Sequence, residues 1–387
     1  MADAELTNTT SVALPPLQPR SIGSFNPFDP TGLGLLSRIP LLPEKLRQSR
    51  HVLVQTDHRF KAAARLLQAL WRQDRDLPIG RYTDHAGKVR RLGSLITAAA
   101  GERGANFLDP EDLPVINRAL IYREIGAVYN LDRLRTNLLS SQPLCFNLFA
   151  GLKRDLSLAT RVCAILFPGL MAEVTDILFE HSPGRNDPRF TQDGTAFDVA
   201  IRGRSPTGER VFVGVEVKYS EAMQEPVPRF TGTYVSLAPR TGLFSAPDDP
   251  ALWRNPVQQL FRLHCLTAAI PAEGVADRAV FVLLAPQHNH LVWAAAEAYR
   301  GHLCKTGQAQ VPFLTLSLEQ AFAALAEADS PEQARRLHRR YTDFWLVDGE
   351  LDLTAAQETD RTTDRCDQPR PCVGSGGEAD HDRSAAK

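Results

Sequence analysis

The chain has 387 residues, 43% of them hydrophobic, with 44 Lys/Arg against 45 Asp/Glu and a formal net charge of -1. That is enough apolar material for one large or two ordinary domains with a real core, and a balanced charge gives no bulk argument for a nucleic-acid partner. No stretch reaches the roughly 18 uncharged apolar residues of a membrane helix, and the first sixteen residues have neither the basic start nor the apolar centre of an export signal.

Six cysteines, Cys145, Cys163, Cys265, Cys304, Cys366 and Cys372, are scattered without a CxxC pair. They read as reduced thiols of a cytoplasmic protein rather than as a disulfide framework or a zinc site.

In chain order, residues 1–24 are rich in Thr, Ser, Pro and Ala without periodicity and are expected to be a disordered tail. Residues 25–136 are expected to form a mainly helical region. Phe60, Ala63, Ala64, Leu67 and Leu70 or Trp71 fall on one helical stripe, and LPVINRALIYREIGAVYNLDRL repeats the spacing. From Glu44 to Arg91 there are twelve Lys/Arg against five Asp/Glu. Arg59, Lys61, Arg65, Arg72, Lys88, Arg90 and Arg91 are therefore candidate phosphate contacts, with a solvated helix surface as the competing reading.

From 137 to 170 a mostly apolar stretch predicts one long helix or two short ones, capped at Ser140 or Ser141, with Pro143 in the first turn and a stop near Pro168. The periodicity then becomes alternating in EVTDILFEH, TAFDVAIRG and RVFVGVEVKYS, which predicts a three-strand meander. A Pro-rich loop through 250, a helix on PVQQLFRLHCLTAAI, a buried strand on RAVFVLLAP and helices at 291–302 and 317–340 follow. Residues 347–387 carry ten Asp/Glu from Asp348 onward against five Lys/Arg and are expected to be a disordered acidic tail. The elements from 137 to 286 run α, β, β, β, α, β.

The chemistry-bearing candidates lie on the hairpin. SPTGE at 205–209 is a turn, and pairing symmetric about Thr207 sets Asp198 opposite Glu216. Strand alternation puts Glu216 and Lys218 on one face and Val199, Ile201, Val213, Val215 and Val217 on the other. Two carboxylates across a strand pair repel, and desolvation adds several kcal/mol. A divalent cation removes that cost. Magnesium, or manganese in its place, is satisfied by two carboxylates and a backbone carbonyl once waters and a substrate phosphate supply the rest. Lys218 beside it would orient or deprotonate the attacking water, or neutralise charge on the phosphate. Taken alone, Glu-x-Lys is commonplace and reads as a surface ion pair.

In its setting, with Asp198 on the paired strand and this element order, the pattern resembles the PD-(D/E)XK nuclease superfamily. A further resemblance, to its restriction-endonuclease-like branch, rests on LLSSQPLCFNLFAGL at 138–152, SPGR at 182–185 followed by TAFDVAI, and GVEVKYSE at 214–221. The resemblance implies an α/β fold, a restriction-endonuclease-like αβββαβ core with a mixed sheet, at 137–346. It implies a metal-dependent nuclease acting on DNA, with a homodimer where both strands are cut. It adds Gln259, preferred to Gln258, from the helix after the Lys strand, and Glu180, preferred to Glu173, as a further metal ligand. The chain departs from the pattern in having Phe197, not Pro, before Asp198, and no glutamate in the usual place on the first helix. The competing readings are a nuclease-like module that only binds nucleic acid or a protein, and a role in which the acids are incidental. The run Gln287-His288-Asn289-His290 is read as solvated polar surface rather than as a metal pair.

Overall fold

The computed structural model describes residues 35–366 except 85, 229–231 and 305–310. The expected tail at 1–24 and the last part of the acidic tail, 367–387, lie outside the described residues.

The N-terminal part begins with α1 (Glu44–Ser49) and α2 (Arg59–Gln73), then a hairpin of β1 (Ile79–Thr83) and β2 (Val89–Ile96), then α3 (Ala98–Glu102), α4 (Leu113–Ile121) and α5 (Leu131–Thr136). The hairpin interrupts the helical expectation. Its strands carry Arg81, Arg90 and Arg91 where apolar alternation would mark them, and Asp84 builds the turn by accepting from the Ala86 and Lys88 amides at 3.1 and 2.9 Å. Helix α2 presents the predicted stripe: Phe60, Ala63, Ala64 and Leu67 are buried.

The 137–170 stretch forms two helices, α6 (Ser141–Arg154) and α7 (Leu156–Leu166). Ser140 caps the first, Pro143 lies in its first turn, and Asp155 breaks the pair by capping α7 through the Leu158 amide at 2.9 Å. The meander follows as β3 (Glu173–His181), β4 (Phe197–Arg204) and β5 (Arg210–Val217). After it come α8 (Thr233–Thr241), α9 (Gln258–Ala272), β6 (Arg278–Ala285), α10 (His290–Arg300), β7 (Phe313–Ser317), α11 (Leu318–Glu327), α12 (Pro331–Tyr341) and α13 (Trp345–Cys366).

Helix α8 lies where a Pro-rich loop was expected. Pro239 falls in its last turns, and Tyr234, Leu237 and Ala238 bury against the sheet's second layer. The edge strand β7 is five residues long and was too short to read beside the helix that follows it. The C-terminal segment, expected to be unstructured from 347, continues as α13. Val347 is fully buried, and Glu350 is ion-paired to Arg50 of the N-terminal part.

The five strands form one mixed sheet in the order β3-β4-β5-β6-β7, antiparallel across the meander and parallel from β5 to β7. The β4–β5 register runs from Arg204 opposite Arg210 to Val199 opposite Val215, the symmetry expected about Thr207. Gly208 at φ 84 makes the turn that a side chain would strain.

Val199, Ile201, Val213, Val215 and Val217 face one core, shared with α2, α6, α7 and α11. Phe197, Ala200, Phe212, Phe281 and Leu283 face a second core under α8, α9 and α10. Because α2 shares the first core with the sheet, the N-terminal part and the αβββαβ core pack as one body. Gln68 of α2 ties it further, donating to Tyr219 Oη at 3.0 Å and to the Arg340 carbonyl at 2.7 Å. Among the described residues no helix is long and apolar enough to cross a membrane.

Candidate active site

The site forms where the meander's strands stop pairing. Beyond Val199–Val215 the β4–β5 ladder ends, and the Asp198 carboxylate takes over its next step by accepting from the Val217 amide at 2.8 Å. On the other side of β4, Phe179 pairs with Val199 and His181 with Phe197, so Glu180 lies level with Asp198. Three adjacent strands thus deliver Glu180, Asp198 and Glu216 to one end of the sheet.

The residue at the place of the usual Pro has a structural role. The Phe197 ring lies across β5 at Gly214, where a Cβ would meet its Cε1 at 2.4 Å. Gly214→Ala must push the ring that precedes Asp198, and is expected to cost about 1–3 kcal/mol by overpacking. Urea unfolding measures it, and an unchanged midpoint would contradict this packing role.

Beside the acids, Lys218 is buried, its backbone amide held by the Leu284 carbonyl of β6 at 2.8 Å. Its Nζ lies 2.9 Å from Glu216 Oε1, donates to Gln259 Oε1 at 2.8 Å, and lies 3.5 Å from Glu225 Oε1. Gln259 Nε2 donates to the same Glu216 oxygen at 2.7 Å, closing a triangle of Glu216, Lys218 and Gln259. An ammonium has only donors, so the Gln259 amide is fixed with its oxygen toward the lysine. Gln258 points away, accepting from Arg262 at 3.1 Å, and Glu173 lies at the far end of β3 opposite Arg204.

The electrostatics are lopsided. Burial, then Glu216 and Glu180, hold the Asp198 carboxyl well above its ordinary value. Burial and the neighbouring Glu216 push Glu180 up to about 7 against the pull of Arg185. Burial also raises Glu216, although Lys218 opposes it. Burial alone would lower the Lys218 ammonium; Glu216, Glu225, Glu221 and Asp198 outweigh it and hold the group above its usual range. Lys218 thus answers Glu216 and Asp198, Arg185 answers Glu180, and Glu216 still repels both Asp198 and Glu180.

Several groups that support these residues had no local sequence signal. Glu180 is held in a left-handed conformation, φ 49. Arg185 donates to its carbonyl at 2.8 Å, and Glu124, from the loop after α4, pairs with both Arg185 and His181. Asn289 donates at 2.9 Å to the carbonyls of Tyr219 and Glu221, fixing the chain that follows Lys218. The Gln287–His290 run is thus not solvated throughout, because Asn289 and His288 are buried and His288 bonds the Leu36 carbonyl. Its apolar neighbourhood comes from Leu36 and Phe344, distant in sequence.

The basic candidates separate into two groups. Arg65 and Arg72 are not available to phosphate: Arg65 is 6% exposed, bound to Asp57 and to Ser94 Oγ, and Arg72 is 9% exposed, bound to the carbonyls of Gly93 and Leu77. The helix carrying them is covered nearly all round, which a single stripe did not foretell. Arg65→Met leaves the Asp57 carboxylate buried and is expected to destabilise the chain by about 3–5 kcal/mol, read by urea unfolding. Stability within error of wild type would return Arg65 to the surface group. Arg59, Lys88, Arg90 and Arg91 are exposed and Lys61 is half-buried; Arg90 is paired to Asp84 and Lys61 weakly to Asp57 at 3.9 Å.

As donors, Asp198 and Glu216 with Glu180 beside them are all oxygen ligands, the kind hard divalent cations take. Among the described residues no three His, Cys, Asp or Glu side chains close into a ready-made metal cage.

No curated protein and no solved structure matches the chain. A family model described as the PD-(D/E)XK nuclease superfamily matches residues 55–343, so it takes in α2 and the β1–β2 hairpin as well as the sheet. With the acids of β4 and β5 and the lysine two residues on, the chain is a member of the PD-(D/E)XK nuclease superfamily, whose members are generally nucleases.

Proposed function

We propose that the protein is a metal-dependent nuclease that hydrolyses phosphodiester bonds of DNA, with Asp198 and Glu216 as metal ligands and Glu180 as a third. One observation carries the reading: Glu180, Asp198 and Glu216 come together at the end of three adjacent strands, beside a buried lysine that pairs with Glu216. Lys218 and Arg185 offset that crowding only in part, since all three carboxyls stay above their ordinary values, whereas a divalent cation compensates it further. Magnesium or manganese bound there supplies a water of lowered pKa and positive charge for the phosphate oxygens.

The chain's own groups do the rest. Lys218, kept charged by its carboxylate neighbours, stabilises negative charge on the phosphate oxygens and orients the attacking water; a raised pKa suits it poorly to remove a proton. Gln259 holds Lys218 and Glu216 in one geometry. The Val217 amide fixes one oxygen of Asp198 and leaves the other for the ion.

Metal titration followed by thermal unfolding tests this. Magnesium or manganese should raise the Tm of the wild type and leave an Asp198→Asn/Glu216→Gln chain unmoved. Equal response of both chains, or none in either, would favour a module that only binds.

A further inference from the structure

The inner end of the β1–β2 hairpin is anchored, with Ile96 buried beside Trp71 and Leu138, but its outer part is unexplained as a structural element. Its outer residues, Arg81 to Thr83 and Lys88 to Arg91, are exposed on both faces, with Tyr82 38% and Val89 59% exposed. They add nothing to either core, and a two-stranded hairpin is marginal without one. In register, Arg81 sits directly opposite Arg91, a like-charge pair that destabilises the hairpin unless an anion lies beside it. Among the described residues neither arginine is ion-paired.

Between this hairpin and α5 runs an open cleft of about 480 Å³. Leu92, Leu95 and Leu139 give it an apolar lining, the hairpin contributes Arg81 and Tyr82, and α5 contributes Arg133 and Thr136. It ends at Ser220 and Glu221, directly after the candidate active-site lysine, and the Glu221 carboxylate is close enough to act on Lys218. Of the charged side chains lining it, Lys61, Arg65, Arg81 and Arg133 are positive and Asp132 and Glu221 negative. Arg65 is committed to Asp57, Lys61 reaches the same carboxylate, and Arg133 reaches Glu221 at 3.6 Å. Counting Asp57, one positive charge remains, on the hairpin side, where Arg81 has no ion-pair partner among the described residues.

The volume is that of a small-ligand pocket, roughly 300–1,000 Å³. It has room for a nucleotide or two of one strand and none for a double helix. An apolar lining, an unpaired cation and one presented aromatic ring are what unpaired nucleic acid uses, the backbone following the charge and a base stacking on the ring. We infer that this cleft receives an unpaired strand of the substrate, a phosphate on Arg81 and a base on Tyr82. The substrate class is then nucleic acid with a single-stranded segment beside the bond to be cut. The inference builds on the nuclease reading but concerns binding, which can be measured without cleavage.

The test uses the full wild-type chain in EDTA, with fluorescence anisotropy of a labelled oligothymidylate and of a blunt duplex of equal length. Arg81→Glu and, separately, Tyr82→Ala should each weaken oligothymidylate binding about tenfold and leave duplex affinity unchanged. Arg81→Ala should lower the salt slope for the single strand by about 0.7. Both side chains are exposed, and circular dichroism checks that the fold persists. Equal losses on both probes would overturn the inference, placing the hairpin against a duplex. It is equally overturned if neither probe responds or the wild type fails to bind the oligothymidylate. If binding behaves as expected while the wild type cuts nothing with metal, the strand cleft stands and the catalytic reading fails.

Discussion

Replacing Asp198 with asparagine is expected to abolish phosphodiester cleavage while raising the thermal stability of the metal-free protein. The asparagine keeps an oxygen for the Val217 amide, so the strand geometry survives. What it removes is a carboxylate that burial, then Glu216 and Glu180, hold above its ordinary value, beside two others that burial also raises. A carboxyl whose folded value lies above its unfolded one favours the fold at low pH, and that contribution is lost as pH rises. For Glu180 the window runs from the ordinary 4.5 to about 7. The asparagine chain should therefore gain little at pH 4 and most at pH 8, by about 1–3 kcal/mol. At about 1–2 °C per kcal/mol for a chain of this length, differential scanning calorimetry in EDTA resolves this. A lower Tm than wild type at pH 8 would show that Asp198 is held by favourable contacts and that the acids do not repel.

The second large effect is expected at Lys218. Its ammonium meets Glu216, Gln259 and Glu225 in a nearly closed space, with side chains 6% and 4% exposed for the Lys218–Glu216 pair. Lys218→Met keeps the stem and removes the charge. Cleavage should fall by about 10²–10³ or more, the scale of losing a preorganised electrostatic partner of the transition state. The fold should persist but weaken, since breaking a buried pair costs about 3–5 kcal/mol. Protonation of Glu216 offsets part of that as pH falls. A Glu216→Gln/Lys218→Met chain should regain much of the stability and none of the activity. Failure to regain it would place the cost in packing rather than in an orphaned carboxylate.

Where sequence spacing was enough to locate these residues, the interactions were local. The hairpin register followed from one turn centred on Thr207, and alternation then fixed which valines entered the core and which face carried Glu216 and Lys218. Gln259 lies one residue inside α9 and turns to the site, while its neighbour Gln258 cannot. What could not be read depends on contacts between segments far apart in the chain. The pairing of Glu124 with His181, the grip of Asn289 on the residues after Lys218, and the burial of Arg65 and Arg72 belong to that class. So does α13, which is charged along its length yet buries Val347 and pairs Glu350 with Arg50. Short elements with mixed composition, β1, β2 and β7, carry too little periodicity to compete with the helices around them.

If Asp198, Glu216 and Lys218 cut phosphodiester bonds with a divalent cation, plasmid DNA, single-stranded DNA and RNA incubated with wild type and with Lys218→Ala, in magnesium or manganese and in EDTA, will show it. DNA should be cut by the wild type only, and only with metal. Equal cutting by both chains would move the activity elsewhere, and no cutting by the wild type on any of the three substrates would contradict the nuclease reading of this site.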